Sequence, residues 1–441
     1  MNKYSLSALV AAGLLAGGLA TSANAADLGG NCCADLEERI AELEATTARK
    51  GNRKVSLTVS GWVGQQISFW DDGIESNSYV HDLGSTLGSH VKFTGSAQIS
   101  PGWSAGYVLH IEAISSDSLT INADRPVGPA ALVGTTSGVQ TLQSYWFVKS
   151  DQLGKLGVGK QSQASDNTAI LVDGSGSLVP ANWVAFDVNS FAIRTGNGGN
   201  SGLVWGGGYC GGQGGAWGDC NGLTRNVVRY DSPTFGGFSV SASWGEDDMW
   251  DVAGRYAGEH HGFKLAVAAA YNEWTDQVQT GVNAGLGQSG DNEYFQLGVY
   301  VQHVATGLFA LYNYGHNEID NVASVFPNDT SGESDTHYIK AGLRTKFNHL
   351  GATVFYGEYL NAQGEDALSQ ADLAVAGNPF LTEDETEVWG LGVVQEVDAA
   401  AMSVWVKYRH LSIETNDDAA FAGAGGLEDF QYVGVGGLIN F

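Results

Sequence analysis

Apolar residues recur with a period of two from Lys54 to the end of this 441-residue chain. In the segment KVSLTVS, for example, valine and leucine alternate with serine and threonine. Successive side chains of a β-strand point to opposite faces, so the alternation predicts strands with one apolar and one polar face. About sixteen such segments follow one another, each near the length that crosses a bilayer at a tilt.

The connections between these segments alternate between short and long. Tight turns are predicted at Ser100-Pro-Gly, Ser150-Asp-Gln, Ser232-Pro-Thr-Phe, Gly258-Glu-His, Asn348-His and Asp398-Ala. Long polar connections are predicted at Asp71–Gly88, Ser116–Gly138, Thr275–Gly290, Glu318–Glu333, Ala362–Asp384 and Glu414–Glu428, with Glu246-Asp-Asp as a short exception. Short turns at one end and long loops at the other are typical of outer-membrane barrels. Since an unpaired backbone amide costs several kcal/mol in lipid, the sheet must also close. Residues 54–441 are therefore predicted to form an all-β, transmembrane antiparallel β-barrel of about 16 strands.

Residues 1–25 have the pattern of a signal peptide. Lys3 gives a positive start, an apolar run extends from Leu6 to Leu19, and Ala23-Asn24-Ala25 is a cleavage site. The alternative is an uncleaved anchor helix, but the run is shorter than the roughly 20 apolar residues that a span needs. No later stretch reaches that length. The chain is therefore predicted to be exported.

Residues 26–53 are predicted to form a short periplasmic helical arm. Leu36, Ile40 and Leu43 have the spacing of a heptad seam, so the arm is either a short coiled coil or a solvated amphipathic helix. Cys32 and Cys33 are adjacent, and both an interchain disulfide and a metal-binding thiol pair remain open.

The net charge of −27 argues against binding to nucleic acid, which requires neutralisation of phosphates. Cys210 and Cys220 flank a glycine-rich segment, and a disulfide between them is predicted in an oxidising compartment. This segment lacks the Gly-Lys-Ser/Thr ending of a phosphate-binding loop. No cofactor is predicted. Acidic stretches such as Asp71-Asp72 are read as solvated, so no metal is predicted either.

Two motifs resemble those of a known family. RNVVRYDSPTFGGF, which begins at Arg225, is similar to a hallmark of Gram-negative general porins, and GKLGVGKQSQASDN resembles the strand that leads into their third loop. The terminal Phe441 resembles the C-terminal signal that the barrel-insertion machinery reads, and the arm resembles that of alphaproteobacterial members.

The resemblance implies a homotrimer of sixteen-stranded barrels in the outer membrane of a Gram-negative bacterium. Each barrel would be a water-filled pore for passive diffusion of ions and small hydrophilic solutes, narrowed by a third loop that folds inward. Its further partners would be outer-membrane lipid, lipopolysaccharide and the barrel-assembly machinery.

Strand parity places charge on the inner face of this barrel. Arg or Lys on the lipid face costs about 2–4 kcal/mol near the midplane, so Arg225 and Arg229, which share one face, must point into the lumen or lie at a rim. Parity gives a predicted basic wall of Lys92, Arg225, Arg229, Arg255, Lys340, Arg344, Lys407 and Arg409, and the resemblance adds Lys160, where many relatives have Arg.

The acidic counterpart is the connection over about residues 161–224. By the family pattern it folds into the barrel and faces the basic wall, with Asp166, Asp173 and Asp187 at the constriction. The alternative is that these aspartates only cap turns. Facing charges of this kind set ion selectivity. The acidic vestibule loops favour a slight preference for cations.

Three other functions compete with general diffusion. A substrate-specific channel, for sugars for instance, would stack aromatic side chains along the lumen, and Trp250, Trp274, Trp389 and Trp405 are candidates. An enzyme is not predicted, because the chain shows no His-Glu-x-x-His or Gly-x-Ser-x-Gly motif. A closed adhesin or structural barrel is the third alternative.

Overall fold

The computed structural model describes residues 54–126, 138–206, 222, 224–246, 248–278, 289–320, 332–365, 383–415 and 424–441. The predicted signal peptide and arm, Cys32, Cys33, Cys210 and Cys220 lie outside the described residues. Among the residues described, no helix is long and apolar enough to cross a membrane.

Nineteen β-strands account for most of this structure. They are β1 (Thr58–Asp71), β2 (Ser76–His81), β3 (Ser89–Ser100), β4 (Trp103–Ala113), β5 (Val139–Ser150), β6 (Gly154–Gln161), β7 (Ala192–Arg194), β8 (Asn200–Val204), β9 (Arg225–Asp231), β10 (Phe238–Gly245), β11 (Met249–His260), β12 (Phe263–Val278), β13 (Ser289–His303), β14 (Leu308–Asp320), β15 (Gly332–Thr345), β16 (Thr353–Glu365), β17 (Glu383–Val397), β18 (Met402–Thr415) and β19 (Phe430–Asn440).

All pairs in the main sheet are antiparallel, and β1 pairs with β19, so the sheet closes. The predicted barrel of about 16 strands is confirmed. β2 is an additional strand that the periodicity did not predict. It lies within the predicted connection Asp71–Gly88 and pairs with the second half of β1, while β3 pairs with the first half.

The connections follow the predicted alternation, and residue chemistry explains the tight turns. β11 and β12 are joined by His261 and Gly262, whose φ angles are +51° and +81°. Two consecutive positive φ values favour the twist of a two-residue hairpin. The predicted turn Gly258-Glu-His begins slightly too early, because β11 continues to His260.

The connection between β6 and β9 enters the barrel. We call its residues 162–206 the inner loop. The inner loop contains one short α-helix, α1 (Leu178–Ala181), 3-10 turns at Ile170–Val172 and Val184–Asp187, and the hairpin β7–β8. Its apolar side chains share one buried cluster with inward side chains of the barrel wall. The inner loop is therefore packed against the wall.

Candidate functional site: the inner loop and the lumen wall

The two faces of the barrel differ as the alternation predicts. Outward side chains are large, apolar and exposed; Trp146 on β5 and Leu391 on β17 are 53% and 59% exposed. The residues beside them on the same strands point inward. A continuous apolar outer face is what lipid requires of a transmembrane barrel.

The inner face has two unlike halves. On β12–β19, which we call the covered half, almost every inward side chain that the structure describes is buried, and several of them contact the inner loop. On β3–β6 and β9, the open half, inward side chains are exposed or half-buried from the middle of each strand to the short-turn end; these include Thr94, Ser96, Gln98, Ser104, Tyr145, Phe147, Lys149, Lys155, Arg229 and Asp231. The water-accessible part of the lumen therefore lies along the open half.

One ion pair on the covered half joins Asp173 of the inner loop to Lys340 of β15. The Lys340 Nζ and Asp173 Oδ2 atoms are 2.5 Å apart, and both side chains have no solvent exposure. Nζ also donates to Ser177 Oγ at 3.0 Å and Asn182 Oδ1 at 2.6 Å. An ammonium group has three N–H donors, so Lys340 is fully satisfied by the loop.

A second contact centres on Asp187. Its Oδ2 atom lies 2.5 Å from Lys407 Nζ and accepts a 2.8 Å hydrogen bond from the Tyr432 hydroxyl, and its Oδ1 atom accepts from Gln66 Nε2 at 2.9 Å. Burial opposes ionisation here, but the charges of Lys407, His81 and Arg409 outweigh it and lower the pKa of Asp187 to about 2. Asp187 is therefore ionised at neutral pH.

Arg409 of β18 connects the loop backbone to the wall. Its guanidinium donates from Nε to Glu358 Oε1 at 2.7 Å and from Nη2 to Glu358 Oε2 at 3.1 Å. The remaining N–H groups reach the carbonyl oxygens of Ala181 and Val184 and the Tyr432 hydroxyl. Arg409 also donates to the carbonyl oxygen of Pro180, so it neutralises a wall carboxylate while it binds three loop carbonyls.

Close packing accompanies these polar contacts. A Cβ atom placed on Gly298 of β13 would lie 2.2 Å from the carbonyl oxygen of Ala169 in the inner loop. Gln296, two residues earlier, accepts from the Ala169 amide at 2.8 Å and donates to the Ser165 carbonyl at 2.9 Å. The absence of a side chain at Gly298 is thus what lets the loop backbone touch the wall.

The start of the inner loop is held by Arg229 of the hallmark motif and by Arg255 of β11. Arg229 Nη1 donates to the carbonyl oxygens of Ser162 at 2.9 Å and Gln163 at 3.0 Å, and Arg255 Nη2 donates to that of Ala164 at 2.6 Å. Burial raises the pKa of the nearby Asp166 to about 6, against the opposing effects of a Ser162 hydrogen bond and the Arg229 charge.

The predicted basic residues Arg225, Arg344 and Lys92 have different surroundings. Arg225 is 3.4 Å from Glu246 and stacks on Trp274, with its guanidinium carbon 4.0 Å from the ring centroid. Arg344 makes a bidentate pair with Glu396 at 2.6 and 2.7 Å and donates to the Ser175 carbonyl. Lys92 is buried on β3.

Lys160 lies on the opposite face from the other predicted wall residues. It stands opposite Ser144 on β5 and Asn226 on β9, on the side of the exposed Trp146. The face of β6 that enters the lumen carries Lys155 and Gln161 instead. The register therefore removes Lys160 from the lumen wall, although the resemblance had included it.

A group on the open half, which we call the aromatic–cationic patch, comprises Tyr145, Phe147, Lys149, Lys155 and Arg229. Of these residues only Arg229 was predicted from the sequence to line the lumen. Lys155 Nζ lies 5.7 Å from the Tyr145 ring centroid and 6.0 Å from that of Phe147. It also lies 3.1 Å from Asp231, which pairs with Arg229 at 2.8 Å. The alternation in SYWFVK was the available signal, because Tyr145, Phe147 and Lys149 share one face.

The four candidate tryptophans do not line the open half. Trp250 and Trp389 are exposed on the outer face. Trp274 and Trp405 point inward but are buried, and Trp405 Nε1 donates to Gln66 Oε1 at 3.0 Å. Trp250 and Trp389 therefore belong to the aromatic belt of the outer face, and Trp274 and Trp405 belong to the packing inside the covered half.

Comparison with known proteins identifies the family. Residues 6–437 match the Gram-negative porin family. The chain belongs to this family. It is therefore an outer-membrane diffusion channel of a Gram-negative bacterium. No curated protein sequence matches this porin at a significant level.

Solved porins share its fold. An anion-selective porin from Comamonas acidovorans superposes with a TM-score of 0.53 at 15% identity, covering 88% of this porin and 100% of that chain. OmpF of Salmonella typhi in complex with daunomycin superposes with a TM-score of 0.51 at 13% identity, covering 89% of this porin and 99% of that chain. OmpT of Vibrio cholerae in its trimer form superposes with a TM-score of 0.50 at 11% identity, covering 88% of this porin and 99% of that chain. At these identities the likeness concerns the fold alone.

Proposed function

We propose that this porin carries out passive diffusion of ions and small hydrophilic solutes, and that the open half of its lumen gives it a preference for anions. The observation that carries the proposal is the unequal burial of charge. Asp173 and Asp187 are buried in ion pairs with wall lysines, whereas Lys149 is exposed and Lys155 is half-buried beside the lumen. These two loop carboxylates are thus neutralised by direct contact, and the accessible wall carries Lys149, Lys155 and Arg229 beside the carboxylate of Asp231.

Short-range charge outweighs the acidic outer loops in this proposal. Exposed charges farther apart than a Debye length, about 8 Å at physiological ionic strength, are largely screened. A solute that passes the open half lies beside Lys155 and Arg229, which stand on the accessible wall. One of the outer-loop carboxylates, Asp72, is itself paired with Arg194 at 2.7 Å. The anion preference therefore replaces the slight cation preference expected from sequence.

The proposed assembly is a homotrimer in contact with outer-membrane lipid and lipopolysaccharide. A structural relative, OmpT of Vibrio cholerae, was solved in a trimer form, which supports a trimer here. We also propose that Phe441 serves as the C-terminal signal for the barrel-assembly machinery. Its backbone amide and carbonyl pair with Gly61 at the seam where the barrel closes, which suits a residue that directs insertion.

A catalytic role has weaker support. Ser68 Oγ lies 2.7 Å from His81 Nε2, and His81 Nδ1 lies 2.6 Å from the Asp82 carbonyl oxygen, a geometry that resembles an activated hydroxyl. Both side chains are buried, at 4% and 0% exposure, so a substrate does not reach the hydroxyl. We therefore assign this contact to the packing of the inner loop, and we propose that the porin is not an enzyme.

Single-channel recording of the purified native protein in a planar bilayer tests the proposal. Conductance steps in groups of three that increase with salt concentration are the expected result. Silence from protein whose heat-shifted gel mobility shows that it is folded would contradict the pore function and would favour a closed adhesin.

A further inference from the structure

We infer that the aromatic–cationic patch is a binding site for small aromatic carboxylates in transit through the lumen. The inference rests on the proposed anion preference, and it names the class of anion that the open half retains. Its basis is the placement of two aromatic rings and several cations on one accessible stretch of wall formed by β5, β6 and β9.

Glycines leave room for the Phe147 ring. Phe147 stands opposite Gly106 on β4 and Gly157 on β6, and Tyr145 stands opposite Val108 on β4 and Gly159 on β6. A Cβ atom on Gly106 would lie 2.4 Å from Phe147 Cζ, so the Phe147 ring occupies space that a side chain on β4 would fill. Both Tyr145 and Phe147 remain half-buried toward the lumen.

The cations around the rings are incompletely compensated. Lys149 and Lys155 stand directly opposite each other on β5 and β6, an arrangement that is unfavourable for like charges. Asp231 pairs with Lys155 and Arg229, but within the described part of the chain Lys149 has no carboxylate partner. A bound anion would offset this excess of positive charge.

The spacing fits a ligand that is both planar and anionic. Lys155 Nζ is within 6.0 Å of the Phe147 ring centroid, so a small molecule stacked on a ring can also reach the ammonium group with its carboxylate. An aliphatic acid would gain the charge contact only, and an uncharged sugar would gain the ring contact only. Both contacts together select an aromatic carboxylate.

The test uses benzoate and cyclohexanecarboxylate, which have the same charge but differ in planarity and π-character. Each is added to the native porin in a planar bilayer, and its half-blocking concentration for the chloride current is measured. We expect benzoate to block at a concentration about 2- to 10-fold lower, the range that an aromatic pair contributes. Conduction of KCl with equal block by the two acids would overturn the inference and leave the proposed function standing, whereas a protein without KCl conductance would overturn both.

Three variants locate the effect. Tyr145→Leu/Phe147→Leu is expected to bring the ratio of the two blocking concentrations to about 1, because the π-faces are lost while apolar volume remains. Lys155→Gln is expected to weaken block by both acids and to leave their ratio unchanged. Trp146→Leu, which changes the neighbouring outward ring, is the control and is expected to retain the native ratio. An equal change of the ratio in Trp146→Leu would assign the effect to the fold of β5 and contradict the site.

Discussion

The covered and open halves of the lumen wall use the same kinds of residue in opposite ways. On the covered half, Lys340 is fully buried and donates all three N–H groups to the inner loop. On the open half, Lys155 keeps 28% of its side-chain exposure and lies beside two aromatic rings. Lys340 therefore attaches the inner loop to the wall, whereas Lys155 is accessible to solute. The difference in burial separates the two roles.

The difference follows from the cost of burying charge. An ion removed from water is tolerated only when a counter-ion and hydrogen bonds replace its hydration, as they do for Lys340 and Asp173. Such a pair has little field left to act on a passing solute. A half-exposed cation costs less to maintain because water still hydrates it, and it stays within reach of a passing solute. The covered half thus holds the inner loop, and the open half sets the proposed ion selectivity.

The largest effect is expected from breaking the attachment at Lys340. Lys340→Met leaves Asp173 buried without its counter-ion, which costs about 3–5 kcal/mol in comparable buried pairs. We expect the inner loop to leave the wall, with faster hydrogen exchange over residues 170–188 and altered single-channel conductance.

The matched control is Lys346→Met, which removes a lysine just after β15. Lys346 pairs with Asp398 at 3.0 Å, with exposures of 68% and 57%, so its loss is expected to cost at most about 1 kcal/mol. Equal exchange rates in the two variants would show that the buried pair does not hold the loop.

A smaller effect is expected from a single methyl group. In Gly298→Ala the new Cβ meets the Ala169 carbonyl, and overpacking of this kind costs about 1–3 kcal/mol. Gly254→Ala is the control, because its Cβ would meet no atom within 4 Å. Thermal unfolding followed by gel mobility should separate the two variants. A native-like Gly298→Ala would contradict the close approach of loop and wall.

Charge reversal on the open half should change selectivity without affecting attachment. Lys149→Glu/Lys155→Glu adds negative charge beside Asp231, so we expect the reversal potential in a salt gradient to shift toward cations. Lys160→Glu, a charge reversal on the outer face of β6, is expected to leave the reversal potential unchanged. A comparable shift in Lys160→Glu would place that residue in the lumen and contradict the register.

The smallest effect concerns pH. The pKa of Asp166 is raised by burial to about 6, so the residue loses its negative charge as pH falls through 6. Between pH 7 and pH 5 we expect a modest shift of the reversal potential toward anions, and Asp166→Asn should abolish that shift.

Asp187 should keep its negative charge over the pH range in which Asp166 loses it. Because its pKa is lowered to about 2, its contribution to stability is present above about pH 4 and is lost only as pH falls through about 2. The loop should therefore stay attached at pH 5. Loss of exchange protection over residues 184–188 at pH 5 would contradict this.

Sequence periodicity predicted the barrel well, because alternation and loop length are local properties. Parity alone placed Arg229, Lys340, Lys407 and Arg409 on the inner face, where the structure has them. Parity places Lys160 on the opposite face of β6 from Lys155 and Gln161. Lys160 was therefore included in the predicted basic wall because of the family resemblance and not because of the alternation. The aromatic–cationic patch was equally readable from the alternation of β5.

Packing of the inner loop could not be predicted in the same way. Asp173 and Lys340 are 167 residues apart in sequence, and nothing local to either residue indicates the pairing. The sequence suggested carboxylates that face cations across water, whereas the structure has them in contact. Whether facing charges touch depends on how far the loop collapses, which the buried apolar cluster of loop and wall determines.

The sign of the reversal potential shows whether the open half or the loop carboxylates set the selectivity of the pore. The native porin would be placed in a planar bilayer with a KCl gradient, and the zero-current potential measured at neutral pH. If the loop carboxylates are neutralised on the covered half and the open half sets selectivity, the potential will have the sign of chloride preference. A potential with the sign of potassium preference would contradict the account, because the acidic groups would then control the passage despite their buried partners.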